Sequence, residues 1–226
     1  MMTIIDIFSS TMTPADRIGF ISLNLSLGLY LILYLPQIIH NRNNQYLSTL
    51  SPGMHFILLT AYILDLFYGF SCHLQWQYKT VSIVSLSLLF IQHLQMTHFF
   101  WSKHDYLWVN IYLLFLVTSG TCIFYFFCIQ DAHASAFTTE IIGYSSRLGF
   151  LVYTLPQIIK NKTLASGHAL SVQFIYLNLT LSILDMISAW CLNWGWPNKL
   201  GTPIMLLLMF ILLLQSKKLY PVTTAG

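Results

Sequence analysis

Leu35-Pro36-Gln37-Ile38-Ile39 is written a second time in this chain, as Leu155-Pro156-Gln157-Ile158-Ile159, 120 residues further on. The same interval carries Ser26 to Ser146, Asn41 to Asn161 and Leu50-Ser51 to Leu170-Ser171, and it carries Ile63-Leu64-Asp65 to Ile183-Leu184-Asp185. Beyond these, Trp76, Lys79, Phe90, Ile91, Leu94 and Gln95 fall on Trp196, Lys199, Phe210, Ile211, Leu214 and Gln215 without a gap. A constant interval kept over that length is an internal duplication, so the chain holds two copies of one structural unit.

Composition sets the solvent of those units. The chain has 226 residues, of which 56% are hydrophobic and 8% charged. A soluble domain carries about 25% charged residues, so this chain has too few to cover itself with a wetted surface. It reads as an integral membrane protein. The formal charge of +3 comes from so few residues that it gives no reason to expect nucleic acid as a partner. Cys72, Cys122, Cys128 and Cys191 form no CxxC pair and no His/Cys ligand spacing, so neither a metal nor a cofactor is expected. Cys72 and Cys191 lie at matching ends of two spans, but a disulfide between them is not favoured. Met1 to Pro14 lacks a basic segment followed by a small-residue cleavage site and reads as mature sequence.

A helix needs about 20 apolar residues to cross the hydrocarbon core. On that criterion seven spans are expected: Ile18–Ile39, Pro52–Ser71, Thr80–Phe100, Leu107–Ile129, Glu140–Ile159, Ser171–Leu192 and Gly201–Gln215. All are expected to be helical, because lipid offers no partner to an unpaired backbone group. Residues 18–100 then form a first three-helix repeat and 140–215 a second, and the span at 107–129 has no counterpart in the duplication. It reads as a linker that restores direction, making the two repeats parallel in a 3+1+3 order. Arg42, Lys103, Lys160, Lys162, Lys217 and Lys218 fall on one side and Arg17, Lys79 and Lys199 on the other. That bias places the loops after Pro-Gln and the C-terminus in the cytoplasm and the N-terminus outside or in a lumen. Nothing in these residues decides between a bacterial inner membrane and an endomembrane.

Four groups of residues stand out against this apolar background. Pro36 and Pro156 each remove a backbone donor late in a span and crowd the carbonyl four residues back, Ile32 or Val152. Two such sites at matching positions read as hinges, with Gln37 and Gln157 beside them to rebind freed carbonyls or line a gate. Asp65 lies 13 residues past Pro52, roughly 20 Å along the helix, inside the apolar run, and Asp185 matches it. An acid there must be paired, protonated or facing water, which makes function the default reading and proton coupling its chemistry. Asn178, Ser182 and Asp185 recur at helical spacing as one polar stripe, and Tyr62, Asp65 and Gly69 do the same in span 2. Arg147 sits mid-span where its repeat partner is Leu27, and it has three candidate partners: Asp65, Asp185 or a substrate carboxylate. His55 and His93 lie within spans 2 and 3; a membrane histidine is more often a packing residue, and His93 is ranked behind the others as a substrate contact. No phosphate loop, GxSxG or HExxH sequence is present, so no enzymatic activity is expected.

A duplicated Leu-Pro-Gln motif ending the first helix of each three-helix unit resembles the PQ-loop family, which includes cystinosin-like exporters and is related to the SWEET sugar transporters. The resemblance spans about Ile18 to Gln215. It implies two parallel three-helix bundles around a central cavity, with alternating access governed by Pro36-Gln37 and Pro156-Gln157. The acids here sit deeper, in spans 2 and 6, than the coupling acid of the exporters, which follows the PQ motif more closely. A pocket asparagine serves the sugar carriers; Asn178 is the matching candidate, and its repeat partner is Leu58.

The expected function is therefore transport of a small polar solute, with a cationic or cystine-like amino acid coupled to protons as the first reading. Asp65 and Asp185 would carry the proton, and Asn178, Arg147, Ser182, Tyr62 and His93 would meet the substrate. A sugar uniporter, or a non-transporting seven-helix sorting receptor or sensor, is the alternative. The short tail Ser216–Gly226 speaks mildly against a receptor. The expected partners are a small-molecule substrate, protons and the lipid bilayer.

Overall fold

The computed structural model describes residues 13–74, 76–128, 136–164, 169–194 and 196–218. Most of Met1–Pro14, Ile129 at the end of the fourth expected span and the tail beyond Lys218 lie outside them. The described residues are helical throughout, without strands. In order they form α1 (Pro14–Ile32), α2 (Leu35–His40), α3 (Asn44–Thr49), α4 (Pro52–Ser71), α5 (Trp76–Ser102), α6 (Tyr106–Cys128), α7 (Ala136–Val152), α8 (Leu155–Leu164), α9 (Val172–Cys191) and α10 (Trp196–Lys218).

Local chemistry sets the ends of these elements. Thr13 caps α1 through its hydroxyl while Asp16 reaches back to the Thr13 amide, and Pro14 occupies the first turn, where its missing donor costs nothing. Pro36 and Pro156 stand in the first turn of α2 and α8, so each Leu-Pro-Gln motif starts a helix just after a break. His73 and Asn193, 120 residues apart, take left-handed backbone conformations with φ of 51° and 50°. Each closes its helix with a six-residue bond, Leu74 N–H to Gly69 carbonyl and Trp194 N–H to Ala189 carbonyl, both 2.9 Å.

Six helices are long and apolar enough to cross a membrane among the described residues: Pro14–His40, Pro52–Ser71, Trp76–Ser102, Tyr106–Cys128, Val172–Cys191 and Lys199–Lys217. The third and last are longer than the expected Thr80–Phe100 and Gly201–Gln215, because the third begins at Trp76 and ends at Ser102, and the last begins at Lys199 and ends at Lys217. The expected fifth span, Glu140–Ile159, falls on α7 and α8, which break at Tyr153–Thr154 as α1 and α2 break at Leu33–Tyr34, and it is not among these six. All four cysteines are free.

The two copies interlock. The first helix of each packs most closely on the second helix of the other, α1 on α9 and α7 on α4. Small residues allow this approach: a Cβ added at Gly149 would come within 2.8 Å of the Ala61 Cβ, and one at Gly143 within 2.7 Å of the Tyr68 ring. Within each copy the third helix packs on both others, α5 on α1 and α4, and α10 on α7 and α9. Helix α6 packs on α5 and α4 and turns Leu107, Leu114, Val117 and Phe124 outward. The central core, with Leu33, Tyr34, Leu58, Phe174 and Leu181, draws on both copies.

Candidate functional site

Interlocking α1, α4, α7 and α9 leave a cavity of about 160 Å³ between the copies. Asp65, Asp185, Arg147, Tyr62, Asn178 and Ser182 all line it. Six of the seven residues expected for proton coupling or substrate contact therefore meet in one space. His93 is the exception. It is fully buried among Phe56, Tyr112 and Phe115, with ring centroids 5.6, 5.0 and 5.7 Å away, and it does not line the cavity. Its position on α5 turns it toward α4 and α6.

The two acids sit in matching but unequal surroundings. Ser26 on α1 donates to Asp185 Oδ1 at 2.8 Å, and Ser146 on α7, its repeat counterpart, donates to Asp65 Oδ1 at 3.3 Å. Each bond crosses from one copy to the other. Asp185 receives one further bond, from the Tyr30 hydroxyl to Oδ2 at 2.7 Å. Asp65 receives bonds from the Tyr78 hydroxyl and from Ser82 at 2.6 Å, and Arg147 Nη2 lies 3.6 Å from its Oδ1. Of its three candidate partners, Arg147 pairs with Asp65. Among the described residues no cation lies within ion-pair distance of Asp185. With both carboxylates ionised, the cavity carries one net negative charge, and Asp185 is the acid without a base.

The glutamines of the two motifs do not line this cavity. Each grips the other copy at the end where α2 and α8 begin. Gln37 accepts from the Ser171 amide (2.8 Å) and donates to the Ala169 carbonyl (3.1 Å), and Gln157 accepts from the Ser51 amide (2.7 Å) and donates to the Thr49 carbonyl (3.2 Å). Asn41 and Asn161 hold the glutamine side chains at 2.7 Å and are themselves bonded to Gln95 and Gln215. Gln95 and Gln215 in turn donate to the Ile38 and Ile158 carbonyls. Every partner has its counterpart 120 residues away, so one clamp is built twice. Lys160 adds bonds to the Ser48 and Leu50 carbonyls on one side only. Leu33, Tyr34, Tyr153 and Thr154, just before α2 and α8, are buried, and Tyr34 and Tyr153 line the cavity.

The PQ loop repeat profile matches residues 18–78 and 138–198, again 120 apart. The chain belongs to the PQ-loop family. Comparison with curated proteins gives no match, and comparison with solved structures gives none.

In this PQ-loop chain several cavity residues escaped the sequence reading. Ser26 was within reach, since its match to Ser146 is part of the duplication. Tyr78 and Gln77 were not, because they precede Thr80, the expected start of the third span, whereas α5 begins at Trp76. Tyr30 carries no signal of its own: its counterpart is Phe150, which lines the same cavity without a hydroxyl.

Proposed function

We propose that this integral, multi-pass PQ-loop protein moves a small polar solute, an amino acid with a positively charged group, by alternating access coupled to protons. The observation that carries the reading is the unequal pair of carboxylates in one inter-repeat cavity, Asp65 matched by Arg147 and Asp185 by hydroxyls alone. A charge enclosed by low-dielectric walls is costly unless compensated. Asp185 therefore needs a proton or a cationic solute group before the cavity can be occluded. Competition between the two at one carboxylate is the simplest coupling device. Tyr62, Asn178 and Ser182 line the remaining wall as solute contacts.

In this reading the clamps of Gln37 and Gln157 are the gate at the PQ end, and Pro36 and Pro156 are the hinges on which α2 and α8 swing. The cytoplasm is assigned to the PQ end and the outside or lumen to the N-terminus. The architecture is taken as 3+1+3, with repeats at 18–100 and 140–215 and a linker at 107–129; the reciprocal packing of α1 on α9 and α7 on α4 supports it.

Uptake into proteoliposomes under an imposed pH gradient tests the reading. Labelled lysine, arginine, cystine, neutral amino acids and glucose are presented separately. Accumulation of an amino acid that collapses with a protonophore is expected. Glucose equilibration indifferent to the gradient would replace the proton-coupled reading by sugar uniport. Binding without flux of any solute would replace transport by a receptor role.

A further inference from the structure

We propose that Arg147 is the carboxylate-binding residue of this cavity, so that a solute is held with its carboxylate on α7 and its ammonium on Asp185 of α9. The proposal rests on the transport reading and gives the solute a polarity and an orientation. Arg147 and its repeat counterpart Leu27 both line the cavity, from α7 and α1. The duplicated scaffold thus accepts an apolar residue at this position, and the guanidinium is an addition to one side.

The contacts of that guanidinium leave most of it unused. Its bond to the Tyr78 hydroxyl, 2.6 Å, and its approach to Asp65, 3.6 Å, both involve Nη2. A guanidinium has five N–H donors, and those on Nε and Nη1 have no hydrogen-bond partner among the described residues. The side chain keeps 27% of its surface accessible although it lies within the membrane-spanning bundle. Asp65 does not need it as a donor, since three hydroxyls, of Tyr78, Ser82 and Ser146, already bond its two oxygens. At 3.6 Å the guanidinium stands beyond hydrogen-bond length from the carboxylate. It is held in place by Tyr78, whose ring also lies 5.7 Å from the guanidinium carbon. The result is a fixed cation with unused donors in the wall of a cavity, the arrangement that binds a carboxylate through charge-assisted bonds.

The test compares ligands that differ only at the carboxylate. Thermal stabilisation of the detergent-solubilised full chain is titrated with lysine and leucine, with their methyl esters, and with cadaverine and isopentylamine. In the wild-type protein the acid of one pair is expected to bind about tenfold or more tightly than its ester or amine. In Arg147→Leu, which installs the residue of the other copy, that ratio falls to about one, and Arg147→Lys recovers part of it. Esters and amines that bind as well as the acids in the wild-type protein overturn the proposal, without recourse to a variant that fails to fold. So does discrimination that survives in Arg147→Leu, or no stabilisation by any acid. Proteoliposome flux of an amine or sugar without carboxylate preference would remove Arg147 from substrate binding and leave transport standing, whereas absence of all flux removes the transport reading itself.

Discussion

Replacing Gln157 by leucine tests whether the clamps gate the cavity or merely hold the fold together. The substitution removes two bonds to the backbone of the other copy, at Ser51 and Thr49, and one to Asn161. The Ser51 amide is left buried without its partner, at a cost of about 1–3 kcal/mol. That cost falls on the clamped state alone, because water reaches the same amide once the gate is open. The open population therefore rises by about 5–150-fold. Lys160 still holds the Ser48 and Leu50 carbonyls, which favours the lower half of that range. Thr154 reports on the event, since it is fully buried beneath the clamps. In a cysteine-free background, Thr154→Cys is expected to react slowly with a membrane-impermeant thiol reagent applied from the PQ side. The added Gln157→Leu change should speed that reaction by the same factor, because labelling follows the open population when reclosing is fast. Gln37→Leu should act alike at the other clamp. A lowered melting temperature with unchanged labelling rates would refute the gating argument and leave a purely structural clamp.

Asp185→Asn keeps one carbonyl acceptor for the Ser26 and Tyr30 pair, the other hydroxyl having to turn and accept from the amide NH2, and removes the titrating group, so pH-driven accumulation should vanish in proteoliposomes while solute exchange survives; undiminished gradient-driven uptake would take Asp185 out of the mechanism. Pro36→Ala and Pro156→Ala restore a backbone donor beside each helix break and, if these are hinges as proposed, should slow flux with little change in ligand affinity, and wild-type rates in both would leave only a packing role. Gly149→Ala forces a Cβ to within 2.8 Å of the Ala61 Cβ, so melting should report a loss of about 1–3 kcal/mol, with Ala61→Gly in the same chain restoring most of it.

The fold was legible where the physics is local or repeated. A shared interval, six of the seven apolar runs of membrane length and two prolines each bear on one stretch of chain, and these survive among the described residues. Asp65 and Asp185 were legible because a charge in an apolar run needs an explanation wherever it packs. The clamps were legible only as matching letters: Asn41 with Asn161 and Gln95 with Gln215 belong to the duplication, but nothing in one copy says that its glutamine binds the backbone of the other. That information lies in the packing of α1 on α9 and α7 on α4, which brings residues more than 100 positions apart to hydrogen-bond distance. His93 lies away from the cavity, and for the opposite reason this was not legible. Its polarity drew notice, while its aromatic neighbours come from α4 and α6 and are invisible along α5.

What duplication kept and what it let drift divide along the axis of the molecule. At the PQ end both clamps have the same glutamine, asparagine and backbone acceptors. At the cavity, Leu27 is the counterpart of Arg147, Leu58 of Asn178, and Phe150 of Tyr30. A symmetric cavity would bind a solute equally well in two orientations related by the pseudo-two-fold axis. An amino acid has a charged group of each sign and no such symmetry. The one cavity arginine beside Asp65 and Asp185 left to hydroxyls give the cavity a charge-paired wall and a negative wall, and if Arg147 takes the solute carboxylate as proposed, a single orientation is favoured. Were the solute a sugar, that polarity would have no counterpart in it, and exchanging the charges by the double change Leu27→Arg and Arg147→Leu would leave its flux unaltered. For an amino acid the same exchange should move the uncompensated acid from Asp185 to Asp65, and the pH-driven accumulation should then depend on Asp65.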